Sequence, residues 1–309
     1  MNYDEDYLNI INSLKNDSIE FENKFFNVEE TINSIIYKNI HIPCKHGKKK
    51  QIFSFWEPKE KLPGYISLCI KTWKKYLPDY EIKILDYKYA KELIGDNLFH
   101  SIISESMPLS IQADAIRVAL LNKYGGIWID ADTIITSGEF LKGLEKYELV
   151  MLGGKNVQHI GFIFASKTSN IIKKWLSEII NRVDIYNQIK LNSGSCLKII
   201  NWNFLGNGIV NKLLNHTTDK EFFRLNKYEI NCFPEIKIYE NTSLEQMKQY
   251  NLLYFQKREP NIILNNTKGI ILLHNSWTPI KYKAMSEQEF LKEDILLSRL
   301  LVKILNISL

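Results

Sequence analysis

The stretch SIQADAIRVALLNKYGGIWIDADTII, residues Ser110–Ile135, reads as a helix, a glycine turn and a buried strand that ends in two carboxylates. Ser110 is a suitable N-cap, and apolar residues follow it at helical spacing. Gly125–Gly126 predicts the end of the helix, because glycine adopts the left-handed conformation of a C′ residue without strain. The apolar run Ile127–Ile129 is typical of a strand covered on both faces. The stretch therefore predicts an α/β protein.

Asp130 and Asp132 come directly after this strand. Two positions apart on an extended chain, their side chains are expected to point the same way. Paired carboxylates repel each other, and a divalent cation is the simplest partner that relieves the repulsion. Ligands of open α/β sheets bind beyond the carboxyl ends of the strands, where these two acids are expected. The pair predicts a metal site, with a solvated strand end as the alternative.

Asp114 and Arg117 lie three positions apart, and so on one face of the predicted helix. The rest of that helix is rich in Ile, Val, Leu and Ala, so a charged pair there needs an explanation. An internal salt bridge that anchors the helix is one explanation, and a ligand site is the other. The occurrence of all four charged residues in this order, ahead of and behind one glycine turn, favours a common site.

These motifs resemble those of the DxD-containing glycosyltransferases of the capsular-polysaccharide-synthesis type. That group belongs with glycosyltransferase family 32 and is distantly related to the glucosylating domains of large clostridial toxins. The resemblance covers most of Lys50–Glu289. The segments that carry it are IFSFW at Ile52–Trp56, TWKKYLPDYEI at Thr72–Ile82, DAIR at Asp114–Arg117, YGGIWIDAD at Tyr124–Asp132 and HNSW at His274–Trp277.

The resemblance implies a GT-A fold, with a mixed, mostly parallel nucleotide-binding sheet flanked by helices. It also implies a nucleotide-diphosphate sugar as donor, expected to be a UDP-sugar, and Mn²⁺ or Mg²⁺ as cofactor. The implied reaction transfers a hexose or an N-acetylhexosamine, with retention of anomeric configuration. The acceptor would be a cell-surface glycan such as capsular polysaccharide, lipooligosaccharide or O-antigen, free or lipid-linked.

The resemblance further implies a role for individual residues. Asp132 would coordinate the metal directly, and Asp130 would act through water or the ribose. The implied metal ligands are Asp130, Asp132, His274 and Ser276. The implied catalytic residues are Asp130, Asp132 and Arg117. The implied donor-binding residues are Phe55, Trp56, Asp114, Arg117, Asp130, Ser276 and Trp277, with the Trp277 indole N–H on the diphosphate. The turn Gly206, Asn207 and Gly208 resembles the family's T-G-P turn without its Thr and Pro, and would contact the acceptor. No catalytic base or nucleophile is identified.

Composition limits the function classes. The 309 residues carry a net charge of +5, which fits an anionic ligand or an acidic membrane surface and is too diffuse to indicate nucleic-acid binding. The acidic N-terminus is unlike a signal peptide, and no apolar run is long enough to span a bilayer. The four cysteines show no C-x-x-C spacing and are expected to be free thiols. We expect a cytoplasmic protein, with peripheral contact at the inner face of the membrane as an alternative.

The chain is expected to divide at residue 48. Residues 1–48 form a predicted helical extension in which the resemblance is absent, and residues 49–309 form the predicted glycosyltransferase domain, with an amphipathic helix at about 287–305. Two other functions remain open. A hydrolase could use Asp130 and Asp132 as acid and base, although two acids on the same side of a bond suit this poorly. A non-catalytic nucleotide-sugar- or glycan-binding protein could have kept the fold.

Overall fold

The computed structural model describes residues 50–142, 144, 147–153, 158–193, 200, 202–214, 223–225, 252, 254–264 and 269–308. The predicted extension, residues 1–48, lies outside them. The strands are β1 (Lys50–Phe55), β2 (Tyr80–Leu85), β3 (Gly126–Ile129), β4 (Thr133–Ile135), β5 (Leu149–Gly153), β6 (Gln158–Ala165), β7 (Phe223–Leu225) and β8 (Ile270–Leu272). The helices are α1 (Gly64–Tyr76), α2 (Tyr87–Ile94), α3 (Asp96–Ile102), α4 (Leu109–Tyr124), α5 (Asn170–Ser193), α6 (Asn207–Leu214), α7 (Asn261–Leu264), α8 (Ile280–Lys283), α9 (Glu287–Leu291) and α10 (Leu296–Leu305).

A six-stranded sheet of order β2-β1-β3-β6-β5-β7 forms the centre of the molecule. β1 pairs in parallel with β2 and β3, and β5 pairs in parallel with β7. β6 lies antiparallel between β3 and β5, and it is the strand of this sheet that runs against the others. The mixed, mostly parallel sheet flanked by helices is therefore confirmed. The carboxyl ends of β1 and β3 meet at one edge, which is the ligand-binding edge of such sheets.

A second, two-stranded sheet joins the middle of the chain to its C-terminal part. β4 pairs antiparallel with β8, from Thr133 opposite Leu272 to Ile135 opposite Ile270. The Leu273 amide then donates to the Asp132 carbonyl at 3.2 Å. The residues that follow β8 are thus delivered next to the turn that precedes β4.

Apolar side chains cover both faces of the central sheet. One face packs against α1, the β4–β8 pair and α10, and the other packs against α4, α5 and the start of α6. The alternation along β1 shows this division, because Ile52 belongs to the first cluster and Phe53 to the second. Burial on both faces explains why β3 reads as a continuous apolar run.

Helix α4 begins one residue before the predicted N-cap. The residue at the N-cap is Pro108, so the prediction that Ser110 caps this helix is wrong. Proline fixes φ near its helical value and has no N–H to leave unpaired, which suits the first positions of a helix. The glycine stop is confirmed: Gly125 has φ of +67° and Gly126 has φ of +98°, and the Gly125 amide donates to the Leu121 carbonyl at 2.8 Å.

The predicted C-terminal helix over residues 287–305 is two helices, α9 and α10. The chain breaks between them because amides at the start of α10 bond to a different segment. The Leu296 amide donates to the Gln256 carbonyl and the Leu297 amide to the Tyr254 carbonyl. Over the described residues, no helix has the length and apolar character needed to cross a membrane.

Candidate functional site

The two acids of the DAD segment lie in a tight turn between β3 and β4. The Thr133 amide donates to the Asp130 carbonyl at 3.1 Å, which closes a four-residue turn. Both carboxylates are half-buried. The acids follow the strand directly, as expected, but the expectation that they lie on an extended chain is wrong, since a turn begins at Asp130. The turn nevertheless lies at the predicted edge of the sheet.

Arg117 holds the Asp130 carboxylate from helix α4. Its Nη2 donates to Asp130 Oδ1 at 2.9 Å, and its Nη1 lies 3.3 Å from Asp114 Oδ1. The guanidinium stacks on the Trp128 ring, 4.9 Å from the centroid, and the Trp128 indole N–H donates to the same Asp130 oxygen at 2.7 Å. The predicted helix-face pair is thus an internal ion pair, and it extends to the acidic turn. Such a network fixes the orientation of Asp130.

Burial makes Asp114 an unusual acid. Its side chain is 8% exposed, and that of Arg117 is 5% exposed. Removal from water raises the pKa of Asp114 to about 7, with Arg117 opposing the rise and Asp130 adding to it. A carboxyl group with this pKa exchanges its proton near neutral pH, beside the residues predicted to hold the donor.

Asp114 should make the folded state less stable as pH rises. An acid whose pKa is higher in the folded chain binds its proton more tightly there. Its contribution to the free energy of unfolding is therefore greatest below its unfolded pKa of 3.8 and is lost as pH rises to about 7. We expect Asp114→Asn to remove this loss. The unfolding temperature of the variant, relative to wild type, should rise by at least about 3 °C between pH 5 and pH 8. An unchanged difference between the two proteins at the two pH values would contradict the assignment.

The segment after β8 meets the acidic turn directly. The Asn275 amide donates to Asp132 Oδ2 at 2.7 Å, and Asn275–Trp277 forms a short 3-10 helix. The His274 and Trp277 rings lie 4.1 Å apart between centroids, and Ser276 is exposed. The predicted juxtaposition of this segment with Asp132 is therefore present, although β8 belongs to the small sheet.

Tyr65 holds that segment in place. Its hydroxyl donates to the Asn275 side-chain oxygen and lies 3.2 Å from the Thr278 hydroxyl. The Tyr65 side chain is fully buried, and burial together with the nearby Asp132 charge raises the pKa of Tyr65 well above its ordinary value of 10. This residue was not predicted, because a tyrosine at an inward position of α1 looks like an ordinary core residue in the sequence.

The LGNG turn reaches the same site from another side. A Cβ on Gly206 would lie 2.4 Å from Asp114 Oδ2, so only glycine allows this approach. The turn is anchored by the Trp175 indole N–H on the Leu205 carbonyl at 2.8 Å. Among the described residues, Asn207 Oδ1 is buried without a hydrogen-bond partner. Of the three predicted acceptor residues, Gly206 thus lies against Asp114, and the acceptor-binding role of all three stays a prediction.

Phe55 ends strand β1 at the same edge of the sheet, and Trp56 follows it directly. Phe55 is 7% exposed and packs edge-on against Tyr87, with 5.3 Å between ring centroids. Trp56 is half-buried, and its amide donates to the Leu85 carbonyl at 2.8 Å. Trp56 therefore offers more ring surface to a ligand than Phe55 does.

The acidic turn fits a hard divalent cation in one particular way. Within the described part of the chain, no three His, Cys, Asp or Glu side chains are grouped as a ready-made metal site. Mg²⁺ and similar ions are often bound by one or two carboxylates, with waters and substrate phosphates as the remaining ligands. Asp130 and Asp132 supply two carboxylates of this kind. They would hold Mn²⁺ or Mg²⁺ together with a phosphorylated substrate.

Comparison of the sequence with models of protein families gives a match. The model of the family described as "Capsular polysaccharide synthesis protein" matches residues 6–188, which is more than half of the chain. The chain belongs to the capsular polysaccharide synthesis protein family. The match starts within residues 1–48, where no resemblance was expected, and it ends before His274–Trp277. The extent of the family match thus differs from the predicted Lys50–Glu289 at both ends.

Three solved structures resemble this member of the capsular polysaccharide synthesis family. "PaToxG Glycosyltransferase" is 17% identical, with 93% of this chain and 98% of that chain covered and a TM-score of 0.36. The apo-form glycosyltransferase GlyE of Streptococcus pneumoniae TIGR4 is 12% identical, with 84% and 62% covered and a TM-score of 0.38. A glycosyltransferase involved in glycosylation of the major capsid of PBCV-1 is 13% identical, with 58% and 81% covered and a TM-score of 0.30. No curated protein matches the sequence.

Proposed function

We propose that this protein is a metal-dependent glycosyltransferase. It transfers a hexose or an N-acetylhexosamine from a nucleotide-diphosphate sugar, with UDP as the expected nucleotide, to a glycan acceptor of capsular polysaccharide, lipooligosaccharide or O-antigen type. Retention of configuration is part of the proposal. The observation that carries it is the meeting of three segments at one sheet edge: Arg117 on Asp130, Asn275 on Asp132, and Gly206 against Asp114.

The chemistry needs stabilisation of the diphosphate that leaves the sugar. A Mn²⁺ or Mg²⁺ ion held by Asp130 and Asp132 would supply Lewis-acid stabilisation of that charge. Arg117 orients Asp130 by a charge-assisted hydrogen bond, and the Asn275 amide orients Asp132 in the same way. Asp114 and the LGNG turn would border the sugar, since Asp114 shares the Arg117 guanidinium with Asp130 and Gly206 lies against Asp114.

Trp277 would contribute a hydrogen bond to the departing diphosphate. The variant Trp277→Phe keeps an aromatic ring beside His274 and removes the indole N–H together with part of the ring. Loss of one hydrogen bond to a charged group costs about 1.5–3 kcal/mol, so we expect kcat to fall by about tenfold to a hundredfold. The unfolding temperature should change little. An unchanged kcat with a lowered unfolding temperature would mean that Trp277 only packs.

A thermal-shift screen tests the proposal. Wild type is heated with UDP, GDP, UDP-glucose, UDP-galactose or their N-acetyl forms, each with Mn²⁺ and again with excess EDTA. A ligand that binds only the folded state raises the unfolding temperature, so we expect a rise that needs Mn²⁺. The positive donor then enters a transfer assay with glycan acceptors. Absence of any nucleotide-dependent shift would contradict the proposal, and binding without turnover would favour the non-catalytic alternative.

A further inference from the structure

His159 lies at the ligand-binding edge of the sheet, at the start of β6. The pairing of β5 with β6 shifts there: Met151 lies opposite Ile163, and the next residue of β5, Leu152, lies opposite His159. Residues 160–162 of β6 are therefore skipped in the pairing with β5, although Phe162 still pairs with Ile129 of β3. Bulges occur often next to active sites, where they redirect a side chain. The shift places His159 beyond the point at which β3 ends.

The imidazole of His159 is locked by its own backbone. The Gly161 amide donates to His159 Nδ1 at 3.0 Å. An Nδ1 that accepts a hydrogen bond carries the ring's lone pair, so in the neutral ring the proton lies on Nε2. His159 is therefore a hydrogen-bond donor at Nε2. The same lone-pair argument makes it a poor metal ligand, because ligation through Nε2 would put a proton on Nδ1, facing the Gly161 N–H.

Two groups of the candidate site surround this ring. A Cβ added to Gly161 would lie 2.9 Å from both Asp130 Oδ2 and His159 Nδ1. The Asp130 carboxylate and the His159 imidazole therefore both border the space that a side chain at position 161 would occupy. The His274 ring centroid lies 6.3 Å from that of His159. The ring is thus bordered by the acidic turn on one side and by the segment after β8 on the other.

We propose that His159 donates its Nε2–H to a diphosphate oxygen of the nucleotide-sugar donor. The inference rests on the proposed function, since it needs a diphosphate between the acidic turn and the His274–Trp277 segment. The site there is rich in carboxylates, which repel an anionic substrate. The Nε2–H of His159 would give that substrate a favourable contact without taking part in metal binding. His159 is a substrate-binding residue in this reading.

A matched pair of variants separates the role of Nδ1, which accepts from the Gly161 amide, from the proposed role of Nε2, which donates to the substrate. Asparagine places its Oδ1 near the position of Nδ1 and can accept from the amide two residues later, so His159→Asn keeps the backbone lock and loses the donor. Glutamine reaches the position of Nε2, so His159→Gln keeps an N–H donor and loses the lock. The probes are UDP and inorganic pyrophosphate, each with Mn²⁺, measured by calorimetry. Mn²⁺ alone is titrated separately, and unfolding temperatures are recorded.

We expect His159→Asn to bind both probes about tenfold to a hundredfold more weakly, with wild-type Mn²⁺ affinity and a nearly unchanged unfolding temperature. His159→Gln should recover most of the affinity with a lower unfolding temperature. Equal probe binding by wild type and His159→Asn, failure of His159→Gln to recover binding, or a tenfold loss of Mn²⁺ affinity in His159→Asn would each overturn this inference alone. If wild type binds none of UDP, inorganic pyrophosphate and GDP, both the proposed function and this inference are overturned.

Discussion

Replacing Asp132 with asparagine should lower turnover by about a thousandfold while the protein keeps its fold. The carboxylate oxygen that receives the Asn275 amide at 2.7 Å has a counterpart in the asparagine side chain, so the contact between the acidic turn and the segment after β8 can persist. What is lost is half of the negative charge that would hold the cation. Metal stabilisation of a leaving phosphate is worth several kcal/mol.

The control is Asp79→Asn, an exposed aspartate before β2, at the opposite edge of the sheet. Three quantities are compared in wild type and the two variants: kcat, the unfolding temperature and the rise in that temperature on addition of Mn²⁺. Only Asp132→Asn should lose turnover and the Mn²⁺ effect. An active Asp132→Asn protein, or full turnover by wild type in excess EDTA, would show that the acidic turn holds no essential metal.

Removing the Arg117 guanidinium should lower the free energy of unfolding more than any other substitution proposed for this protein. In Arg117→Met the Asp114 and Asp130 carboxylates lose the cation that both contact, at 3.3 and 2.9 Å. Breaking a buried ion pair by deleting one partner costs about 3–5 kcal/mol, which lowers the unfolding temperature by about 10 °C in a protein of this size. Adding Asp114→Asn should recover part of the loss, because without Arg117 the folded state must hold Asp114 either protonated or charged without a partner, and asparagine avoids both.

Arg117→Lys tests whether the residue also acts in transfer. A lysine ammonium is a point charge and cannot reproduce two nitrogens that point at two carboxylates, nor the stacking on Trp128. We expect a smaller loss of stability than in Arg117→Met and a fall in sugar transfer, with UDP affinity changed little. A variant that loses only stability, with wild-type kcat, would assign Arg117 to the ion pair alone.

The parts of the fold that depend on local pattern were predictable from the sequence. The helix before the glycines, the buried strand after them and the acids behind it all follow from period, glycine chemistry and apolar run length. The contact of Asp114 with Arg117 follows from their spacing on a helix. The family resemblance added the expectation that His274–Trp277 belongs near Asp132, and the structure brings the two together.

The parts that failed depend on contacts between distant segments. Asp130 and Asp132 were expected on an extended chain after the strand, but β4 turns away to pair with β8, and the acids occupy the turn this requires. The break between α9 and α10 comes from hydrogen bonds to residues 254–256, which no helical pattern contains. His159 and Tyr65 were missed because a register shift in β6 and a hydrogen bond from α1 to Asn275 decide their positions.

The pairing of β4 with β8 has a consequence for the order in which this protein matures. Asn275 follows Asp132 by 143 positions, and at ~5–20 residues per second a ribosome needs roughly 10–30 s to make that length of chain. The central sheet can begin to assemble in this interval, while the edge of β4 waits for its partner. An uncovered strand edge invites association with other chains, and at three residues β4 exposes only a short one. Asp132 cannot receive the Asn275 amide before the C-terminal part of the chain has emerged, so we expect the acidic turn of a nascent chain to lack this contact until then.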